Sequence, residues 1–145
     1  MDKTSPEVEA GRESGPVEIG LPEMERLLTG GGNLFLVDVR TEDAFLRERI
    51  PGSLSVPRGV LEFLIEEVIS EREAMLIIVC DDGSLSRKAV LTLRVLGYSS
   101  AYALQGGLFG WKRAGHPISR GNPAAGDAPL SWRWAHGEGS RLIRE

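Results

Sequence analysis

Cys80 is the only cysteine among 145 residues, and it runs directly into Asp81-Asp82-Gly83-Ser84-Leu85-Ser86. A thiol attacks only as its thiolate, and a helix N-terminus favours that form because the first backbone N–H groups lack partners within the helix. The run 75–80, rich in Ile and Val, predicts a strand, and 86–96, closed by Gly97, predicts a helix. Between them lies a tight turn in which Gly83 lets the backbone curl, so that successive N–H groups could surround an anion. The competing reading makes Cys80 the last small apolar residue of a buried strand, a common place for a free cysteine.

The surrounding elements decide where that turn sits. Residues 34–39 form an apolar run broken only at Asp38, 53–56 a short strand ended by Pro57, and 101–104 a last strand. Leu21, Met24, Leu27 and Leu28 share a helical face stopped by Gly30-Gly31-Gly32, and Thr41 can cap a brief helix carrying Phe45 and Leu46. A third helix over 60–69 presents Val60, Leu61, Leu64, Ile65, Val68 and Ile69, and a short one surrounds Trp111, a core anchor. Strands alternating with helices predict an α/β fold with a parallel sheet covered on both faces, whose chemistry collects at the carboxyl edge of the strands. Cys80 is at that edge.

Composition removes other classes. With 17 Lys+Arg against 21 Asp+Glu the formal charge is -4, which argues against a nucleic-acid footprint. No apolar run approaches the ~20 residues of a membrane helix, and residues 1–16 lack the apolar core of a signal peptide, so a cytoplasmic protein that binds no membrane is expected. One cysteine allows neither an intramolecular disulfide nor a cysteine-rich zinc site. His116 beside Pro117 and His136 in the tail read as surface residues, so no metal site is expected. The length fits one domain over 17–118, able to fold as a monomer, between a disordered leader (1–16) and a Gly/Pro-rich tail (119–145). Trp132 and Trp134 in that tail either fold back or meet a partner.

Residues 79–86 resemble the active-site loop of the rhodanese-like sulfurtransferases, C-x-x-G-x-R-S followed by an alanine-rich helix. Leu36-Val37-Asp38-Val39-Arg40 resembles the family's first signature strand. Arg49-Ile50-Pro51-Gly52-Ser53 is similar to its H-I-P-G-A segment, residues 56–63 to a variant that follows it, and Gly106-Gly107-Leu108-Phe109-Gly110-Trp111 to its closing G-G-x-x-x-W. The resemblance implies a three-layer sandwich with a mostly parallel five-stranded sheet. It also implies that Cys80 takes a sulfane sulfur from a donor such as thiosulfate, or a protein persulfide, and passes it to cyanide or a thiol without metal or organic cofactor. The N–H groups of Asp81, Asp82, Gly83, Ser84, Leu85 and Ser86 would then hold the persulfide or substrate anion.

The chain departs from that pattern at the loop arginine, which is Leu85 here, and Arg87 lies about 200° further round the helix. Leucine cannot pair with the sulfonate of thiosulfate, and Asp81 and Asp82 work against a thiolate and repel an anionic donor. Weak thiosulfate activity and a larger or less anionic persulfide donor are therefore expected. Arg49, Arg58 and Arg87 are candidates for positive charge at the pocket mouth. Asp38 and Arg40 are candidates for structural support, Asp38 tying strand ends or the loop and Arg40 pairing with Glu42 or Asp43. A rhodanese-fold binding or regulatory module is the alternative function. A phosphatase is disfavoured, because its C-x5-R loop does not match the C-x6-R spacing from Cys80 to Arg87.

Overall fold

The computed structural model describes residues 16–30 and 33–123. The expected leader, the tail tryptophans Trp132 and Trp134, and His136 lie outside the described residues. The chain runs β1 (Glu18–Ile19), α1 (Leu21–Thr29), β2 (Leu34–Asp38), α2 (Glu42–Arg47), β3 (Leu54–Ser55) and a 3-10 turn (Arg58–Val60). It continues through α3 (Leu61–Val68), β4 (Met75–Val79), α4 (Ser84–Val95), β5 (Ala101–Leu104) and α5 (Gly107–Arg113). The five strands form one sheet in the order β1-β5-β4-β2-β3, with every pairing parallel.

Strand alternation splits the apolar side chains between two cores. Leu34, Leu36, Ile77 and Val79 meet Met24 and Leu28 of α1 and Leu108 and Trp111 of α5 on one face. Val37, Leu76 and Ile78, with Cys80 just past β4, meet Leu61 and Ile65 of α3 and Ala89, Val90 and Leu93 of α4 on the other. Both faces of β2 and β4 are thus buried, which is why these runs are continuously apolar. The layers are helices, sheet, helices. No helix among the described residues is long and apolar enough to cross a membrane.

Parallel pairing brings the carboxyl ends of all strands to one edge, where Asp38, Val56, Cys80 and Gln105 follow or end their strands. Thr41 caps α2 as its sequence position suggests, its hydroxyl accepting the Ala44 N–H at 3.2 Å. Two elements differ from the sequence reading. β1 is a strand with no periodicity to betray it, because its two residues gain order only by pairing with β5. α4 begins at Ser84, two residues earlier than expected, because Asp82 and Gly83 start it.

The packed chain also continues beyond Ile118. Ser119 pairs with Arg49 in an antiparallel bridge, and the Gly121 N–H donates to the Leu46 carbonyl at 2.7 Å. His116 is not a surface residue. Its side chain is 8 % exposed, its ring lies 4.4 Å from that of Trp111, and Nε2 is 3.0 Å from a Glu25 carboxylate oxygen.

Tyr98, fully buried, shows how α3 is tied to the α4–β5 connection: its hydroxyl donates to the Ile69 carbonyl, and Arg72 lies over its ring. Burial raises its pKa and keeps the phenol protonated as a donor. Tyr98→Phe is expected to cost about 1–3 kcal/mol, read as a lower denaturant midpoint at unchanged slope. Because the folded pKa is raised, this contribution is complete below the unfolded value of about 10 and is lost as pH rises through the folded value. The gap between the two proteins should therefore narrow in strong alkali, and an equal gap at all pH values would contradict the account.

Candidate active site

Cys80 is 1 % exposed, and its sulfur accepts the Gly83 N–H at 3.1 Å. Gly83 holds φ at +98°, a conformation costly for any other residue, and this closes the turn back onto Sγ. Ser86, also buried, lies on the first turn of α4 with Oγ 3.6 Å from the sulfur, and its hydroxyl donates to the Gly83 carbonyl at 3.0 Å.

The expected cradle of N–H groups is only partly open. Ser84 spends its N–H and its hydroxyl on the Asp82 carboxylate, at 3.0 and 2.8 Å. Asp82 is thus a side-chain cap for α4, stabilised where the helix presents positive partial charge. The Ser84 N–H and then its hydroxyl hold the Asp82 carboxyl below the usual carboxylate range. The same carboxylate stands 4.0 Å from Sγ, so a fixed negative charge sits beside the thiol.

A second helix holds the loop from behind. Leu108 and Phe109, at the start of α5, donate their N–H groups to the carbonyls of Cys80 and Asp81, each at 2.9 Å. The approach requires glycine: a Cβ on Gly107, whose φ is +57°, would lie 2.7 Å from the Asp81 carbonyl oxygen and closer still to that of Cys80. This is the physical content of the Gly106-Gly107 pair.

Asp81 is held at its other end as well. The Arg40 guanidinium reaches Asp81 at 3.5 Å, while it grips Asp38 through Nε and Nη2 and donates to the Glu48 carbonyl at 2.6 Å. Arg40 therefore does not pair with Glu42 or Asp43; the partner of Asp43 is Arg47, on the exposed face of α2. Asp38, 1 % exposed, acts on the loop through Arg40. No spacing rule could connect residues 40 and 81, which meet only because β2 and β4 are neighbours.

The three arginines considered for the pocket mouth have separate fates. Arg49 is corrected: it is buried at 4 % exposure, donates to the carbonyls of Phe45 and Gly121, and lies over the Phe45 ring, so its charge serves the packing of α2. Arg58 is exposed and forms no ion pair with a described residue. Arg87 turns toward β1, 3.7 Å from Glu18, and helps line a cleft of about 530 Å³ that also touches Ser84. The exposed residues of the loop are Asp81, Asp82, Ser84 and Leu85, and Leu85, 42 % exposed, is the apolar one among them.

An α/β sheet thus delivers the chain's one cysteine into a backbone-lined turn at a helix N-terminus. The model of the rhodanese-like domain matches residues 21–114, and the chain belongs to that family. It is 30% identical over 101 residues to a sulfurtransferase of Allochromatium vinosum, covering 70% of this chain and 92% of that one. Among solved structures it is similar to the human single-domain sulfurtransferase TSTD1, with TM-score 0.60, 28% identity and coverage of 68% and 97%. It is also similar to a thiosulfate sulfurtransferase from Pseudomonas aeruginosa, with TM-score 0.67 and 29% identity over 73% of this chain but only 20% of that one.

Gly107→Ala should displace the Cys80 and Asp81 carbonyls and cost at least about 2 kcal/mol, strain and clash together. Gly106→Ala meets nothing closer than 3.5 Å and adds only backbone strain. Urea unfolding of both variants checks this, and equal losses would contradict the close approach at Gly107.

Proposed function

We propose that the protein is a sulfurtransferase that carries a sulfane sulfur as a Cys80 persulfide. The thiolate attacks the outer sulfur of the donor, the donor's S–S bond breaks, and sulfite leaves when the donor is thiosulfate or a thiolate when it is a persulfide. A nucleophilic acceptor, cyanide or a thiol, then attacks the outer sulfur on Cys80, and the pair of electrons in that S–S bond returns to the cysteine. The observation that carries this reading is the Gly83 N–H aimed at Sγ from a turn that opens α4. Such a donor stabilises negative charge on sulfur at each stage.

Donor choice follows from the loop's charges. The rim residue Leu85 offers no cation to a sulfonate, and Asp82 opposes a second anion near Sγ. Thiosulfate is on this reading a poor donor, and a persulfide on a protein or small thiol a better one. The exposed Leu85 side chain suits a donor with carbon around its sulfur.

Intact-mass measurement tests the proposal. After incubation with thiosulfate or a low-molecular-weight organic persulfide, the protein should gain one sulfur that a reductant removes, and Cys80→Ser should gain none. Absence of an adduct with either donor would overturn the enzyme reading and leave a rhodanese-fold binding module.

A further inference from the structure

We propose that Arg40 is a positioning residue that masks the charge of Asp81, so that of the two loop aspartates only Asp82 repels a donor approaching Cys80. The inference rests on Cys80 being the reacting group. Its basis is the arrangement of one guanidinium. Arg40 and Asp38 form a closed local unit: the Arg40 backbone N–H donates to Asp38 Oδ1 at 3.0 Å, and Nε and Nη2 reach the same carboxylate at 3.0 and 2.9 Å. Nη2 also donates to the Glu48 carbonyl, which fixes the plane of the group from the α2 side. With the fork so held, Nη1 is the nitrogen left over, and it is the one 3.5 Å from the Asp81 carboxylate.

Asp81 itself has little freedom. Its carbonyl is taken by the Phe109 N–H, so α5 fixes its backbone while Arg40 meets its side chain. The Arg40 side chain is 6 % exposed and that of Asp81 57 %, so the cation lies behind the carboxylate, on the protein side. Burial works against the charge of Arg40, but its pairing with Asp38 and then Asp81 more than offsets this and holds its pKa above the ordinary arginine value. It is a permanent cation. Lysine could not replace it, because one ammonium cannot grip Asp38 twice, reach Glu48 and still face Asp81.

The alternative is that Arg40 only satisfies Asp38 and Glu48, with Asp81 incidental. Alkylation of Cys80 in the full chain separates the two. Iodoacetate and iodoacetamide are similar in size and differ in charge, so their rate ratio reads the potential at the sulfur, whereas a purely structural change moves both rates together. In the otherwise unaltered protein, Asp81→Asn should raise the iodoacetate-to-iodoacetamide ratio by less than about 1.5-fold. In an Asp38→Asn/Arg40→Gln background, which replaces the buried ion pair by amides, the same substitution should raise it roughly threefold at low salt. The larger effect should fade as salt is added.

An equal effect of Asp81→Asn in both backgrounds would overturn the proposal. If the double variant does not fold, the unaltered background still decides: a rise of about threefold on Asp81→Asn alone would mean that the charge was never masked. Alkylation needs no sulfur transfer. A negative result here would leave sulfur loading untouched, and a failure of sulfur loading would leave the ratio readable.

Discussion

The N-terminus of α5 holds the carbonyls of Cys80 and Asp81, and the geometry of the cysteine loop depends on that hold. With those carbonyls engaged behind the loop, the Gly83 N–H meets the sulfur. The hold depends in turn on Gly107, where a side chain would strike both carbonyls, and on Trp111 and Leu108, which fix α5 in the core against β2, β4 and β5. The Trp111 indole N–H is spent on the Pro117 carbonyl, which completes the anchor on the far side of the helix. A glycine pair and a tryptophan that look like packing details thus set the orientation of a thiol one strand away.

The loop's second feature is a conflict of charges. A helix N-terminus attracts any anion, and here it already has one, because Asp82 caps α4 through Ser84 and stands within 4.0 Å of the thiol. The cap stabilises the helix, and it opposes both a thiolate and an anionic donor at the same place. A loop arginine would offset this, but Leu85 occupies the position and is partly exposed. Arg40 meets Asp81 from beneath the loop and is already committed to Asp38. The result is a site with backbone support for sulfur and leucine where a loop arginine would stand, its cations lining the flanking clefts instead: Arg87 and Lys88 beside Ser84, Arg40 and Arg47 beside Asp81.

Much of this was legible in the sequence, and what escaped has a common cause. β2 and β4 are buried on both faces and therefore read as unbroken apolar runs, and Gly83, the Thr41 cap and the order of the motifs are local signals. The two residues of β1 carry no pattern of their own. Arg40 meeting Asp81, His116 resting on Trp111 and reaching Glu25, and Arg49 reaching Gly121 are contacts between distant parts of the chain. In each, a charged or polar side chain finds a partner in a buried setting, where composition alone suggests an exposed one, although His116 does so through Nε2 alone and its buried Nδ1 has no partner among the described residues. The loop acids were visible as a charge problem; that one of them is a helix cap and the other an ion-pair partner required the fold.

On the proposed reading, the loop's charges rather than the thiol itself choose the sulfur donor. The ratio of Cys80 sulfur-loading rates from thiosulfate and from an organic persulfide that carries no sulfonate, compared between the unaltered protein and Leu85→Arg, tests this. A charge-assisted contact to the sulfonate should raise that ratio by about tenfold or more, through the thiosulfate rate alone. An unchanged ratio, or an equal gain with both donors, would contradict the account.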